Sequence, residues 1–188
     1  MTIFLAFTAA WVAWAVSWFV AALWSSRPAR RAGVGAEASY RVITLVGAVM
    51  LFLPGRRLFW TPRLWDVGWT GAWILVAIAV AGFAFCWWAR IHLGALWSGS
   101  VTRKPDHRIV DSGPYGLVRH PIYTGILLAI FATAIAKGTV LAIAGAVVMT
   151  LGFYVKARLE ERFLGAELGA AAYDAYRRRV PMLVPFLR

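Results

Sequence analysis

Long apolar runs without a charged side chain constrain this chain more than any other feature of its sequence. Residues 2–25 and 67–89 contain no Asp, Glu, Lys or Arg. As a helix, each is long enough to cross a hydrocarbon core, which takes about 20 residues. Hydrophobic residues form 61% of the 188, more than one soluble core could bury. We therefore predict an integral membrane protein. The first run lacks the basic start of a secretory signal, so we expect it to be retained as a span.

The second apolar run, residues 42–53, is too short to cross a membrane by itself. It is followed by Pro54-Gly55-Arg56-Arg57. We expect it to span only if the helix also includes Tyr40, Arg41 and some of residues 58–60, with the long polar side chains reaching back to the membrane surface.

The last two apolar runs, residues 122–136 and 140–155, are joined by Lys137-Gly138-Thr139. So short a connection predicts an antiparallel helical hairpin. Small residues let helix backbones approach closely in a membrane. We expect them to do so between the two helices of this hairpin, at Gly125, Ala129, Ala132, Ala136 and Gly145.

The chain becomes polar from Lys156 onward. Residues 156–178 predict one helix that leaves the membrane, and Pro181 and Pro185 would end any helix beyond it. The whole pattern predicts an all-α polytopic membrane protein with about five transmembrane helices. We assign residues 1–66 to the first two helices, and residues 67–188 to helices three to five, the loop between them and a C-terminal amphipathic helix.

The positive charges lie mainly between and after the apolar runs. The net charge is +12, but this distribution is typical of anchors at anionic headgroups rather than of a nucleic-acid surface. If the N-terminus is outside, the cytoplasmic segments carry all of the 20 lysines and arginines except Arg56, Arg57, Arg63 and Lys137. The positive-inside rule therefore predicts a cytoplasmic C-terminus and a cytoplasmic loop before the hairpin.

Residues 113–125, which end that loop and begin the next helix, combine a turn, two cations, two phenols and a helix-starting proline. Gly113-Pro114 indicates a turn, and Pro121 suits the first residue of a helix, where its missing N–H costs nothing. The free N–H groups of residues 122–124 would favour an anion, and Arg119 and His120 add donors beside them. The alternative is that Arg119 and His120 only anchor the helix to lipid headgroups.

Two adjacent acids, Glu160 and Glu161, stand out among only eight in the chain. They lie on the same predicted side of the membrane as Arg119 and His120, where one acid could bind a ligand ammonium and the other pair with an arginine. The alternative is a set of weak surface ion pairs with neighbouring cations. The spacing of His92, His107 and His120 does not fit a metal site on one helix, and Cys86 has no cysteine to pair with.

Taken in order, these pieces resemble the isoprenylcysteine carboxyl methyltransferase and phospholipid methyltransferase superfamily of integral membrane enzymes. The resemblance covers roughly residues 88–187. It is carried by these motifs: Leu93-Gly94, Trp97-Ser98, His107-Arg108-Ile109-Val110, Gly113-Pro114-Tyr115, Arg119-His120-Pro121 with Tyr123 and Gly125, Glu160-Glu161, Tyr173 with Tyr176, Val180-Pro181 and Pro185-Phe186.

The resemblance implies S-adenosylmethionine as methyl donor, S-adenosylhomocysteine as product and a cofactor pocket on the cytosolic side. It assigns to that pocket His107, Val110, Gly113, Pro114, Tyr115, Arg119, His120, Tyr123, Glu160 and Glu161. Arg119, Glu160 and Glu161 are the catalytic candidates. The acceptor would be a lipophilic small molecule or a lipid, attacking the sulfonium methyl in line from the bilayer. A carboxylate or thiolate acceptor needs no base, whereas an amine does.

Two other functions remain open at this point. Membrane sterol and steroid reductases that use a nicotinamide cofactor resemble the same block, but Ile122 and Ile126 stand where their pattern has Asn and an acid. A non-catalytic membrane protein would have the same spans without binding either cofactor.

Overall fold

The computed structural model describes residues 2–23, 25, 30–31, 33–53, 62–103 and 108–187, and these form an all-α protein, as predicted. The helices are α1 (Ile3–Ala22), α2 (Val34–Phe52), α3 (Gly68–Leu93), α4 (Pro114–Leu117), α5 (Pro121–Lys137), α6 (Val140–Leu168) and α7 (Ala170–Arg179). A 3-10 turn, Gly94–Leu96, continues α3. The short strands β1 (Arg30–Arg31) and β2 (Thr102–Arg103) pair antiparallel.

Four of the helices, α1, α2, α3 and α6, are long and apolar enough to cross a membrane. Helix α5 has 17 residues, the lower limit of what crosses a hydrocarbon core. A fifth span therefore remains a prediction. Large apolar side chains such as Phe4, Phe19 and Leu45 are exposed on the surface, as expected where lipid rather than water surrounds the helices.

Helix α2 differs from its predicted extension. It gains its length at the N-terminal end, where it begins at Val34; residues 58–60 lie outside the described part of the chain. Hydropathy missed this start because the first turns contain Glu37, which is buried and accepts a hydrogen bond from the backbone N–H of Val101 at 3.0 Å. Hydropathy does not distinguish a charged residue that is buried and hydrogen-bonded from one that is exposed at the surface.

The predicted hairpin of α5 and α6 is present and turns at Gly138, whose φ of 61° is the left-handed conformation that glycine adopts without strain. Thr139 caps α6 by accepting a hydrogen bond from the N–H of Ala142. The segment before α3 lies at the same end of the bundle as this turn, because the N–H of Leu64 donates to the carbonyl of Gly138.

The small residues of the hairpin, however, do not pack mainly against each other. A Cβ on Gly82 of α3 would lie 2.5 Å from the carbonyl oxygen of Gly125 of α5, and a Cβ on Gly145 of α6 would lie 2.8 Å from that of Gly47 of α2. The expectation for Gly125 and Gly145 was therefore wrong. These glycines allow α5 to approach α3, and α6 to approach α2, which fixes the bundle.

The predicted exit helix, residues 156–178, is two helices. Helix α6 continues to Leu168, and Gly169, with φ at 101°, ends it before α7 begins. Because an L side chain rarely adopts this φ, the glycine permits the change of direction. Helix α7 and the residues after it thereby turn back towards the start of α5, where Tyr173, Tyr176 and Val180 are buried.

Candidate functional site

A cavity of about 420 Å³ lies at the end of the bundle where α5 begins and α6 continues past it. Helix α1, the end of α3 and the loop after it contribute mainly apolar side chains to its wall, including Trp18, Phe19, Leu93, Leu96 and Trp97. The polar wall comes from α4 to α7 and includes Tyr115, Arg119, His120, Tyr123, Lys156, Glu160, Tyr173 and Tyr176. The volume is typical of small-molecule sites, which are mostly apolar with a few placed polar groups.

Glu161 joins the loop before α5 to α6 from behind this cavity. Its Oε1 accepts hydrogen bonds from Nε of Arg119 at 2.6 Å and interacts with Nε2 of His120 at 3.2 Å. Nε of Arg177, on α7, lies 3.5 Å from Oε2. Glu161 is 4% exposed and does not line the cavity. Its contacts connect three segments, namely the loop before α5, α6 and α7.

The residues after α7 also hold this loop. The backbone N–H of Arg119 donates to the carbonyl of Pro181 at 2.8 Å, and that of His120 donates to Met182 at 3.1 Å. The hydroxyl of Thr124 donates to the carbonyl of Leu183 at 2.6 Å. These bonds make the segment from 180 to 183 part of the site's framework.

The predicted anion site at the start of α5 has fewer free hydrogen-bond donors than expected. Of the N–H groups of residues 122–124, that of Thr124 donates to the carbonyl of His120 at 3.0 Å. The guanidinium of Arg119 donates to the carbonyls of Arg177 and Val180 as well as to Glu161. This arginine is therefore a structural connector whose side chain also reaches the cavity wall, rather than a free donor.

Glu160 faces the cavity, unlike Glu161. Its Oε1 accepts a hydrogen bond from the hydroxyl of Tyr123 at 2.6 Å and lies 3.9 Å from Nζ of Lys156. Its Oε2 lies 3.6 Å from Nδ1 of His120, whose ring stacks on Tyr123 with centroids 5.3 Å apart and planes 4° apart. A fixed carboxylate beside aromatic faces is suited to bind a ligand cation.

Burial and charge act in opposite directions on His120. Burial disfavours the charged imidazolium, but hydrogen bonds and charges from Glu160 and Glu161 outweigh it and raise the pKa of His120 above its ordinary value. The ring of His120 thus lies between the two acids, with one nitrogen near each carboxylate. Burial also raises the pKa of Tyr115, with Glu160 adding to the effect, so this phenol stays neutral.

Three tyrosines, Tyr115, Tyr173 and Tyr176, belong to the wall of the cavity. The hydroxyl of Tyr176 donates to the backbone carbonyl of Tyr115 at 2.8 Å, and the rings of Tyr173 and Tyr176 meet edge to face with centroids 6.0 Å apart. This hydrogen bond ties α7 to α4. The wall offers flat aromatic surfaces on which a planar heterocycle could stack.

The other predicted cofactor residues have different positions. Val110 lines the cavity. Gly113 and Pro114 shape the turn behind it: Gly113 has a φ of 56°, and a Cβ there would lie 2.8 Å from the ring of His92, while Pro114 begins α4 and is buried. His107 lies outside the described residues.

Sequence reasoning missed several parts of the cavity wall. Trp18 and Phe19 of α1 are among them, as is the segment from 98 to 102. Lys156 was predicted only as the start of the polar exit helix, yet it lines the cavity and donates to the carbonyl of Gly99 at 3.0 Å. Its spacing of four residues from Glu160 places both on one face of α6 and could have identified it.

No group of three or more His, Cys, Asp or Glu side chains among the described residues could hold a metal ion.

Comparisons with known proteins give one matching family model and several similar proteins. The model of the isoprenylcysteine carboxyl methyltransferase (ICMT) family matches residues 74–166. The chain is 34% identical over 166 residues to methanethiol S-methyltransferase 2 of Bradyrhizobium diazoefficiens, a match that covers 76% of this chain and 58% of that protein. It is 35% identical over 88 residues to protein-S-isoprenylcysteine O-methyltransferase B of Arabidopsis thaliana, covering 46% and 44%.

A third relative carries a different kind of name. The cobalt-zinc-cadmium resistance protein CzcN of Cupriavidus metallidurans is 29% identical over 148 residues, covering 78% of this chain and 61% of that protein. The chain thus spans less than two thirds of the length of each of these relatives.

Proposed function

Residues 74–166 place this chain in the isoprenylcysteine carboxyl methyltransferase family, and we propose that it is an integral membrane methyltransferase with S-adenosylmethionine as methyl donor. The observation that carries the proposal is Glu160. This carboxylate is fixed by Tyr123 in the wall of a ligand-sized cavity. The relatives named as methyltransferases support the same reaction.

The residues of the cavity fit this donor. Its ammonium requires an anionic partner, which Glu160 supplies, and its adenine requires flat apolar surfaces, which Tyr115, Tyr173 and Tyr176 supply. Lys156 is placed to bind the carboxylate of the methionine part. When bound, S-adenosylmethionine supplies an electrophilic methyl group on a positively charged sulfur.

The protein's own contribution is to orient the reactants and exclude water. Tyr123 and His120 restrict the carboxylate of Glu160 to one position, and Glu161 with Arg119 keeps the loop before α5 against α6. Alignment of two reactants removes much of the entropic barrier to their reaction. Glu160, the carboxylate that lines the cavity among the described residues, is surrounded by Tyr123, His120 and Lys156.

We propose a lipophilic acceptor that reaches the cavity from the bilayer. Phe19 lines the cavity and is also 77% exposed on the surface that faces lipid, so the apolar wall continues to the outside of the bundle.

We also propose that the cavity end is cytoplasmic. The positive-inside rule assigns Arg63 and Lys137 to the outer side, and both lie at the end of the bundle away from the cavity. There a guanidinium nitrogen of Arg63 is 3.3 Å from the carbonyl of Ala136, and Lys137 donates to the carbonyl of Leu53 at 3.1 Å.

Two measurements on the purified protein in lipid nanodiscs test the proposal. Calorimetry with S-adenosylhomocysteine should show saturable binding, and labelled methyl donor with a membrane extract should yield a labelled lipophilic product. Binding of reduced nicotinamide cofactor without any response to S-adenosylhomocysteine would contradict the proposal. The matched variants are Glu160→Gln, which should bind S-adenosylhomocysteine poorly, and Glu167→Gln, which changes an acid of the same helix that does not line the cavity.

A further inference from the structure

Lys156 is held in the cavity wall by a carbonyl and two aromatic rings. Its Nζ donates to the carbonyl of Gly99 at 3.0 Å. It lies 5.4 Å from the ring centroid of Tyr40, on α2, and 5.3 Å from that of Tyr123, on α5, within the range of cation–π attraction. The four-carbon stem of a lysine is flexible. These neutral contacts therefore determine where the ammonium lies.

This position keeps the ammonium apart from Glu160. The distance from Nζ to Oε1 of Glu160 is 3.9 Å, whereas a hydrogen-bonded ammonium and carboxylate are about 2.7–2.9 Å apart. The two charges are thus neighbours without a direct hydrogen bond. The methionine part of S-adenosylmethionine and S-adenosylhomocysteine carries an ammonium and a carboxylate on one carbon. A cation beside an anion is the arrangement that such a zwitterion requires.

Helix α2 fixes the backbone that follows Gly99. Glu37, in the first turn of α2, accepts a hydrogen bond from the N–H of Val101 at 3.0 Å. The other oxygen of the same carboxylate forms an ion pair with Arg41, whose guanidinium also donates to the hydroxyl of Ser100 at 3.3 Å. Glu37 is 5% exposed, so this buried carboxylate connects α2 to the cavity wall.

Tyr40 belongs to the same face of α2 as Glu37. The two residues are three apart, so their side chains are neighbours on the helix surface. Helix α2 thus reaches Lys156 by two routes, through the ring of Tyr40 and through the backbone that presents the carbonyl of Gly99. Both residues of α2 precede residues 74–166, the part that the family model matches. The family match therefore assigns no role to either residue.

We propose that Glu37 and Tyr40 are positioning residues that hold Lys156 where it binds the carboxylate of the methyl donor. The inference rests on the proposed methyltransferase function and deepens it, because it assigns part of donor recognition to α2. Without these contacts the ammonium would move onto Glu160, since opposite charges attract strongly where polarity is low. A zwitterionic ligand would then have to break that ion pair before it could bind.

The test compares S-adenosylhomocysteine with its decarboxylated analogue, which keeps the adenosine, the sulfur and the ammonium. Calorimetry in lipid nanodiscs gives the ratio of the two affinities. We expect the wild type to bind S-adenosylhomocysteine about tenfold more tightly than the analogue, the factor that a hydrogen bond between charged groups provides. Lys156→Met should bind the two ligands equally well.

Changes in α2 should alter the same ratio. Glu37→Ala removes the bond to Val101, and Tyr40→Leu removes an aromatic face, so each should reduce the ratio by about threefold or more. Glu37→Gln keeps an oxygen that can accept the bond, and Tyr40→Phe keeps the ring, so both should retain most of the ratio. Asp66→Asn, at an exposed acid that pairs with Arg63 at 2.9 Å at the other end of the bundle, should leave the ratio unchanged.

A merely structural role would give a different result, because loss of structure weakens both ligands by the same factor. An unchanged ratio in Glu37→Ala and Tyr40→Leu would overturn the inference, as would equal affinity of the wild type for the two ligands. Either result leaves the proposed function intact, since S-adenosylhomocysteine still binds. If Glu37→Ala does not fold, the comparison of Tyr40→Leu with Tyr40→Phe decides. No binding of either ligand by the wild type would overturn the proposed function and the inference with it.

Discussion

Nε of Arg119 lies 2.6 Å from Oε1 of Glu161, although 42 residues separate them in the chain. The two side chains are 8% and 3% exposed. This contact joins the loop before α5 to the part of α6 that extends beyond α5, and the cavity lies beside it. This enclosed ion pair is thus one of the contacts that fix the position of the site.

The first prediction concerns that ion pair. Removal of one partner leaves an uncompensated buried charge, so Arg119→Met or Glu161→Met should destabilise the protein by about 3 kcal/mol or more. The double variant should be less destabilised than the sum of the two. Thermal unfolding in detergent measures this, with Arg162→Met on the exposed side of α6 as control. Strict additivity in the double variant would show that the two groups do not depend on each other.

The second prediction concerns cofactor affinity. Glu160→Gln should weaken the binding of S-adenosylhomocysteine by about tenfold or more, because a hydrogen bond to a charged group contributes about 1.5–3 kcal/mol. Tyr123→Phe should have a smaller effect, since it removes only the bond that orients the carboxylate. Calorimetry measures both. Wild-type affinity in Glu160→Gln, or a loss as large in Glu167→Gln, would contradict the assigned role.

The third prediction is a dependence of stability on pH. The pKa of His120 is raised in the folded protein by Glu160 and Glu161, against the effect of burial. A raised folded pKa means that the stabilisation is complete below the unfolded value of about 6.5 and is lost as the pH rises through the folded value. The melting temperature should therefore fall with increasing pH above neutrality. His120→Asn should have a flatter profile, and His92→Asn, at an exposed site, should keep the wild-type slope. A wild-type slope in His120→Asn would show that another group is responsible.

The fourth prediction concerns helix packing. Gly82→Ala places a Cβ 2.5 Å from the carbonyl oxygen of Gly125, so α3 and α5 have to separate, at a cost of about 1–3 kcal/mol. Gly35→Ala in α2 meets no atom within 4 Å and should be neutral or slightly stabilising, because alanine favours the helix. Thermal unfolding compares the two. Equal stability would mean that the backbones are not in close contact.

The sequence was sufficient to predict the helical membrane fold and the meeting of Arg119 and His120 with the two acids. Charge-free length identifies a span, and the positive-inside rule places polar segments on one side. The sequence was not sufficient to tell which of Glu160 and Glu161 faces the cavity, because adjacent residues on a helix differ only in the direction of their side chains. Helix partners were also missed, since the small residue Gly125 is equally suited to any neighbouring helix.

The same reasoning explains the error at Gly169. A single glycine between alanine-rich segments is compatible with a continuous helix, at a cost of about 1 kcal/mol. Its φ of 101° depends on α7 packing back against α4 and the loop before α5, which are distant in sequence. Local propensity therefore could not distinguish one exit helix from two.

The last prediction concerns the residues after α7. The carbonyls of Pro181, Met182 and Leu183 accept hydrogen bonds from Arg119, His120 and Thr124, so deletion of residues 181–188 removes three bonds from the loop that carries His120. The helices should remain, because the deleted segment lies outside α1 to α7. The loop should become less ordered and the affinity for S-adenosylhomocysteine should fall about tenfold. Circular dichroism and calorimetry on the same sample measure the two effects, and Thr124→Val, which removes one of the bonds, should lie between the deletion and the wild type. Unchanged affinity in the deletion would show that Glu161 and Arg119 hold the loop without help from the residues after α7.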